Sequence, residues 1–160
     1  MNKEVEEIVI LEVTHQVGIN KELLMSHRRD ILCVVCRQYL TYFLNYYLGY
    51  DTIKIADAIG KDRSTIHFNI YAFEKSMRKN TNYLNEFIRI DKGVSRIVRN
   101  YMDYLGYDRR PFRSTHNILA GTDFSRVDRI LNRHRSNQER EHQLQDVKSS
   151  NSWIGERTIC

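Results

Sequence analysis

The stretch from Asp30 to Leu48 places the tightest limit on what this chain can fold into. Ile31, Leu32, Val34, Val35, Tyr39, Leu40, Phe43, Leu44, Tyr47 and Leu48 leave it little polar surface. The exceptions are Asp30, Arg37, Gln38, Thr41 and Asn45. Positions 30, 37, 41 and 45 share one helical stripe, and Gln38 lies beside it. The pattern predicts a long central helix, buried on most sides, that offers water or a ligand one narrow polar strip. A chain built around such a helix is expected to be all-α. Nothing alternates with period two for long, and 160 residues hold one proline and seven glycines.

The flanking segments fit a helical bundle. A first helix is expected from Lys3 to Gln16, with Val5, Ile8, Val9, Leu11 and Val13 on a broad apolar side and Gly18 ending it. Asn20 is placed to cap a short helix through Leu23, Leu24 and Met25. Residues 83–105 read as an amphipathic helix with a break at Gly93, and a last helix is expected from Asp123 to about His134. The rich Ser, Asn, Gln, Glu and Lys content after Ser136 predicts a disordered tail. Three regions follow: 1–80, a basic helical extension over 81–135, and the tail over 136–160.

Between Ile53 and Phe68 the sequence reads as a short helix, a tight turn and the start of a second helix. Ile55 and Ile59 give the first helix its apolar edge, and Gly60 suits a positive φ in the turn. Asp51 or Thr52 would cap the first helix. Asp62 would cap the second by accepting from the amide of Ser64 or Thr65. Ile66, Ile70, Phe73 and Met77 then recur on one face, ending near Asn80. Arg63, His67, Glu74 and Arg78 lie on another. A helix that buries one side and presents Arg, Ser, Thr and His at its start has the pattern of a DNA recognition helix in a helix-turn-helix.

The stretch Ile55 to Phe68 resembles the Ile-Gly-x-x-Phe-Gly-Gly-Arg-Asp-His-[Ser/Thr]-Thr-Val signature of the C-terminal DNA-binding domain of DnaA, the bacterial replication initiator family; within it Ile59-Gly60-Lys61-Asp62-Arg63-Ser64-Thr65-Ile66 reads the same way with one glycine fewer. Gly18-Ile19 with Leu23-Leu24-Met25-Ser26, then Arg29 and Arg37-Gln38, resemble that family's upstream helix, basic loop and Arg-Gln pair. The likeness spans about residues 8–80. It implies that Asp62, Arg63, Ser64 and Thr65 face base edges in the major groove and that Arg29 enters the adjacent minor groove. It also implies that Arg37 and Gln38, with Asn45, Thr52 and Ile53 through backbone or side chain, hold phosphates and set register. Lys61 in the turn and His67 on the recognition helix complete the candidate DNA-binding set. The family has His where Arg63 stands, so the site read need not be the family's own. No Gly-x-x-x-x-Gly-Lys-[Ser/Thr] occurs, so the initiator's nucleotide-binding motor is not expected.

The net charge is +5 and the pI about 9.2, with the basic excess in residues 81–135. Both are compatible with a polyanionic partner. The acidic start, the lack of a long apolar run and three cysteines predict a cytoplasmic location with reduced thiols. Cys33 and Cys36 have CxxC spacing but lie in an apolar helix with no second pair, so buried small side chains are expected rather than a metal site. Tyr39, Tyr42, Tyr46, Tyr47, Tyr50 and Tyr71 are expected in the core. Tyr47-Leu48-Gly49-Tyr50-Asp51 recurs as Tyr104-Leu105-Gly106-Tyr107-Asp108, with a weaker echo of the turn motif at Gly121–Val127; chance plus shared turn and cap chemistry is one reading and a degenerate second helix-turn-helix the other. The Arg109–Arg113 loop is a candidate phosphate contact. No constellation resembles an active site, so no enzyme, cofactor or metal is expected. The expected function is sequence-preferring binding of double-stranded DNA, in replication initiation or its control or in transcription, on a phage, plasmid or prophage genome. The alternative is a non-enzymatic adaptor or structural protein, for example of a phage assembly. Residues 81–135 would then carry a protein partner or self-association.

Overall fold

A computed structural model describes residues 2–106 and 124–155. Among these, every regular element is a helix: α1 (Asn2–Val17), α2 (Lys21–Met25), α3 (Ile31–Leu48), α4 (Thr52–Ile59), α5 (Arg63–Lys79), α6 (Thr81–Tyr104) and α7 (Ser125–Gly155). The chain divides into two compact units, Met1–Phe124 and Ser125–Cys160. No helix among the described residues is long and apolar enough to cross a membrane.

In the first unit α3 is the hub, packed against α1, α2, α4 and α5, and α6 closes the bundle against α1 and α5. Its aromatic residues explain the composition. Tyr39, Tyr42 and Phe43 of α3 meet Phe73 of α5 and Phe87 of α6, with ring centroids 5.1–6.2 Å apart. Each such pair adds about 0.5–1.5 kcal/mol beyond its buried area. The tyrosine hydroxyls reach polar partners at the margins. Tyr83 Oη donates to Gln38 Oε1 (2.7 Å), Tyr50 Oη to Glu6 (2.8 Å) and Tyr101 Oη to Glu4 (2.7 Å). Tyr71 departs from expectation: it is exposed, because it lies across α5 from Ile66, Phe73 and Met77.

The polar strip on α3 is also a correction. Arg37, Gln38, Thr41 and Asn45 are all buried, and only Asp30, at the N-cap, is exposed. α1, α2, α4 and α5 pack around α3, so these polar residues bond inward to neighbouring backbone and side chains instead of facing solvent.

Glycines mark several helix ends, at Gly60 as expected. Gly49 ends α3 and Gly60 ends α4, each in the left-handed region (φ 65° and 61°). Gly106 follows α6 with φ 73°. The repeated Tyr-Leu-Gly therefore reports a shared way of ending a long helix. Gly93 does not break α6, which runs through it. The glycine instead leaves room for the Gln16 side chain of α1, which would clash with a Cβ there.

Region 81–135 begins with a helix of the first unit. Phe87, Ile90, Val94 and Val98 of α6 are buried, and the unit continues to Phe124, whose ring meets Tyr42 at 5.2 Å. The expected disorder after residue 136 is not what the structure has, since α7 continues to Gly155. No glycine or proline lies between Gly121 and Gly155, and Glu, Gln and Arg propagate a helix well without burial. Low apolar content argues against packing, not against helix. The Arg109–Arg113 loop and the Gly121–Asp123 part of the echo lie outside the described residues.

Candidate nucleic-acid interface

The site is assembled where α2, the loop before α3, the turn after α4 and the start of α5 converge. Gly60 accepts the left-handed conformation, and its amide with that of Lys61 closes on Ala56 O and Asp57 O. Only Gly60, Lys61 and Asp62 separate α4 from α5. Asp51 caps α4, accepting from the amides of Ile53 (3.1 Å) and Lys54 (2.9 Å). Asp62 occupies the N-cap position of α5 with extended backbone, yet its carboxylate makes no capping hydrogen bond. The position is as expected and the bond is not, which leaves the first amides of α5 without that acceptor.

Arg37 and Lys61 converge on the end of α2. A short helix exposes its last carbonyls with no partner of their own. Arg37, 6% exposed, donates from Nε to Leu24 O (3.0 Å) and from Nη2 to Ser26 O (2.7 Å). Its Nη1 donates to Arg28 O (2.8 Å). Lys61 Nζ donates to Met25 O (2.8 Å) and Ser26 O (2.7 Å). Partial burial, then the neighbouring Arg37 charge, holds the Lys61 ammonium below its ordinary pKa. These two cations therefore clamp residues 23–28 and set the start of the loop that carries Arg29. Arg37 is not free to reach phosphates, which corrects the role that the resemblance implied for it, and Lys61 is tied to the same loop.

The other expected contacts separate into two groups. Arg29, Arg63, Ser64 and His67 are exposed and Thr65 is half-buried. Gln38 and Asn45 are structural: Gln38 accepts from Tyr83, and Asn45 Nδ2 donates to Tyr50 O (3.0 Å). Thr52 is buried and accepts from Arg63 Nε (3.2 Å), so it orients Arg63. Ile53 is exposed on the first turn of α4, where it offers its side chain but no charge. Burial also removes the CxxC pair from chemistry. Cys33 and Cys36 are buried, and burial, with Cys33 adjacent, pushes the Cys36 thiol up to about 12. No cluster of metal-ligating side chains occurs among the described residues.

A groove of about 920 Å³ runs between the α2–α3 loop and α5. Arg29, Ser64 and Thr65 line it, with Lys61 and Asp62 at the turn. Sequence reasoning missed His27, Phe68 and Asn69, which line it too. The signal for Asn69 was present, since it stands one turn after Thr65 on the same stripe. Phe68 reads as a core residue by type, and only the direction in which α5 buries its apolar face leaves it 63% exposed.

No family model, curated protein or solved structure matches this chain.

Proposed function

We propose that the chain is a non-enzymatic, sequence-preferring double-stranded DNA-binding protein, acting in replication initiation or its control or in transcription. The first turn of α5 enters the major groove and Arg29 reaches the adjacent minor groove. The observation that carries this reading is the grouping of Arg29, Ser64 and Thr65 along one groove beside the N-terminus of α5, with Arg63 and His67 exposed on the same helix. Its chemistry suits duplex DNA. The helix N-terminus and the arginines favour phosphate, while hydroxyl and methyl groups on the first turn suit base edges. Arg37 and Lys61 serve it by positioning the loop, and Arg29 and Arg63 carry the free charge.

The test is an anisotropy titration against random and selected duplexes at several salt concentrations. Thr65→Val flattens discrimination between sequences by about 1–3 kcal/mol. Arg29→Ala lowers the salt slope by about one without changing stability. Failure to bind any duplex at low salt overturns the reading. The adaptor reading draws on the exposed Ile31 and Leu32 at the start of α3. Stoichiometric assembly with a protein partner in the absence of DNA would favour it.

A further inference from the structure

Asn69 is held in an unusual position for an amide. It follows Ile66 and precedes Phe73 at the border of the apolar face of α5, so docking that face draws the side chain in with it. The residue is 4% exposed, and its Nδ2 is buried with no hydrogen-bond partner among the described residues. A buried amide left unpaired destabilises the free protein, and an apolar side chain of similar size would avoid that cost. Yet Asn69 also lines the groove that holds Arg29, Ser64 and Thr65. Beside it on the same groove stands Phe68, a large ring left exposed to solvent.

An amide offers one donor and one acceptor side by side. The major-groove edge of adenine presents the complementary pair, the N6 donor and the N7 acceptor, and thymine presents a methyl group that suits an aromatic ring. Resting on the DNA-binding reading above, we propose that Asn69 and Phe68 read an A·T step one turn beyond the first turn of α5. Asn69 turns its amide into the groove to pair with adenine, and Phe68 packs on a thymine methyl beside it. Rotation about the Asn side chain breaks no hydrogen bond at Nδ2 to the described residues, because that atom has none among them. The unpaired amide is then satisfied only on the duplex that it recognises.

The experiment uses the full chain and a duplex selected by it from a random pool. Each adenine is replaced in turn by 7-deazaadenine, and each thymine by uracil. At one adenine the replacement weakens wild-type binding about tenfold, and Asn69→Ala is insensitive to the same replacement. At one thymine, loss of the methyl weakens the wild type, and Phe68→Ala is insensitive. Asn69→Leu melts at or above the wild-type temperature and shows the same insensitivity to 7-deazaadenine, which separates lost recognition from lost folding. The proposal is overturned if no adenine position matters to the wild type, or if Asn69→Ala keeps the full wild-type profile. Selection of no duplex at all removes the DNA-binding reading and this proposal with it. A bound duplex with an unchanged profile removes this proposal alone.

Discussion

Arg37 carries the most residue-scale information. Its four hydrogen bonds run to carbonyls of Leu23, Leu24, Ser26 and Arg28, so one guanidinium satisfies the end of a helix and the loop beyond it. A lysine has no planar fork to span these oxygens. Arg37→Ala and Arg37→Lys are both expected to destabilise the fold, the alanine variant by about 2–4 kcal/mol, since buried carbonyls lose charged donors. Urea unfolding measures this. In DNA titrations at a temperature where the variant is folded, the salt slope stays at the wild-type value, in contrast to Arg29→Ala. A reduced slope for Arg37→Lys would return Arg37 to the phosphate-contacting set. The sequence offers both Arg29 and Arg37 as DNA contacts, one for the minor groove and one for phosphate, and burial alone assigns Arg37 to the frame instead.

At the scale of elements, the α4–α5 connection decides the geometry of the groove. Gly60 has φ 61°, and a Cβ added there would approach Met25 Sδ at 3.2 Å. Gly60→Ala combines a left-handed penalty of about 1–2 kcal/mol with that contact. Gly60→Asn is expected to lose less, because asparagine tolerates the left-handed region better. Thermal melts by circular dichroism check the order glycine, asparagine, alanine. Such features were legible in advance: the glycine turn, the Asn20 cap, a cap at Asp51 or Thr52 and the buried stripe of α5 all follow from local sequence. What was not legible is which faces of α3 and α6 meet neighbours. The missing Asp62 cap bond belongs here too, since side-chain torsion, not residue type, decides whether a capping residue forms its bond.

For the whole molecule, the tyrosines couple stability to alkaline pH. Burial raises Tyr39, Tyr47, Tyr50 and Tyr83 above the ordinary tyrosine range, Tyr50 to about 12. The folded state keeps protons that the unfolded state releases above about pH 10, so stability is full below that pH and falls as pH rises further. Lys61 opposes this: its lowered pKa makes the folded state release its proton first, which adds stability on approaching the ordinary lysine value. One lysine is outweighed by four tyrosines. Alkaline titration is expected to show the late tyrosinate absorbance rising together with loss of helical dichroism. Full ionisation of every tyrosine with the helices intact would contradict it.

The sequence by itself determined the all-α class, the positions of six of the seven helices among the described residues to within a few residues, the left-handed glycine of the turn and the residues offered at the start of α5. These depend on periodicity, propensity and capping, which act over a few residues. Only the tertiary structure decided that the polar stripe of α3 faces inward, that Arg37 and Lys61 clamp the loop of Arg29, and that Asn69 is drawn into the buried side of α5. Those outcomes depend on which helix lies against which face. That choice is made by the packing of residues distant in sequence, and no local pattern encodes it.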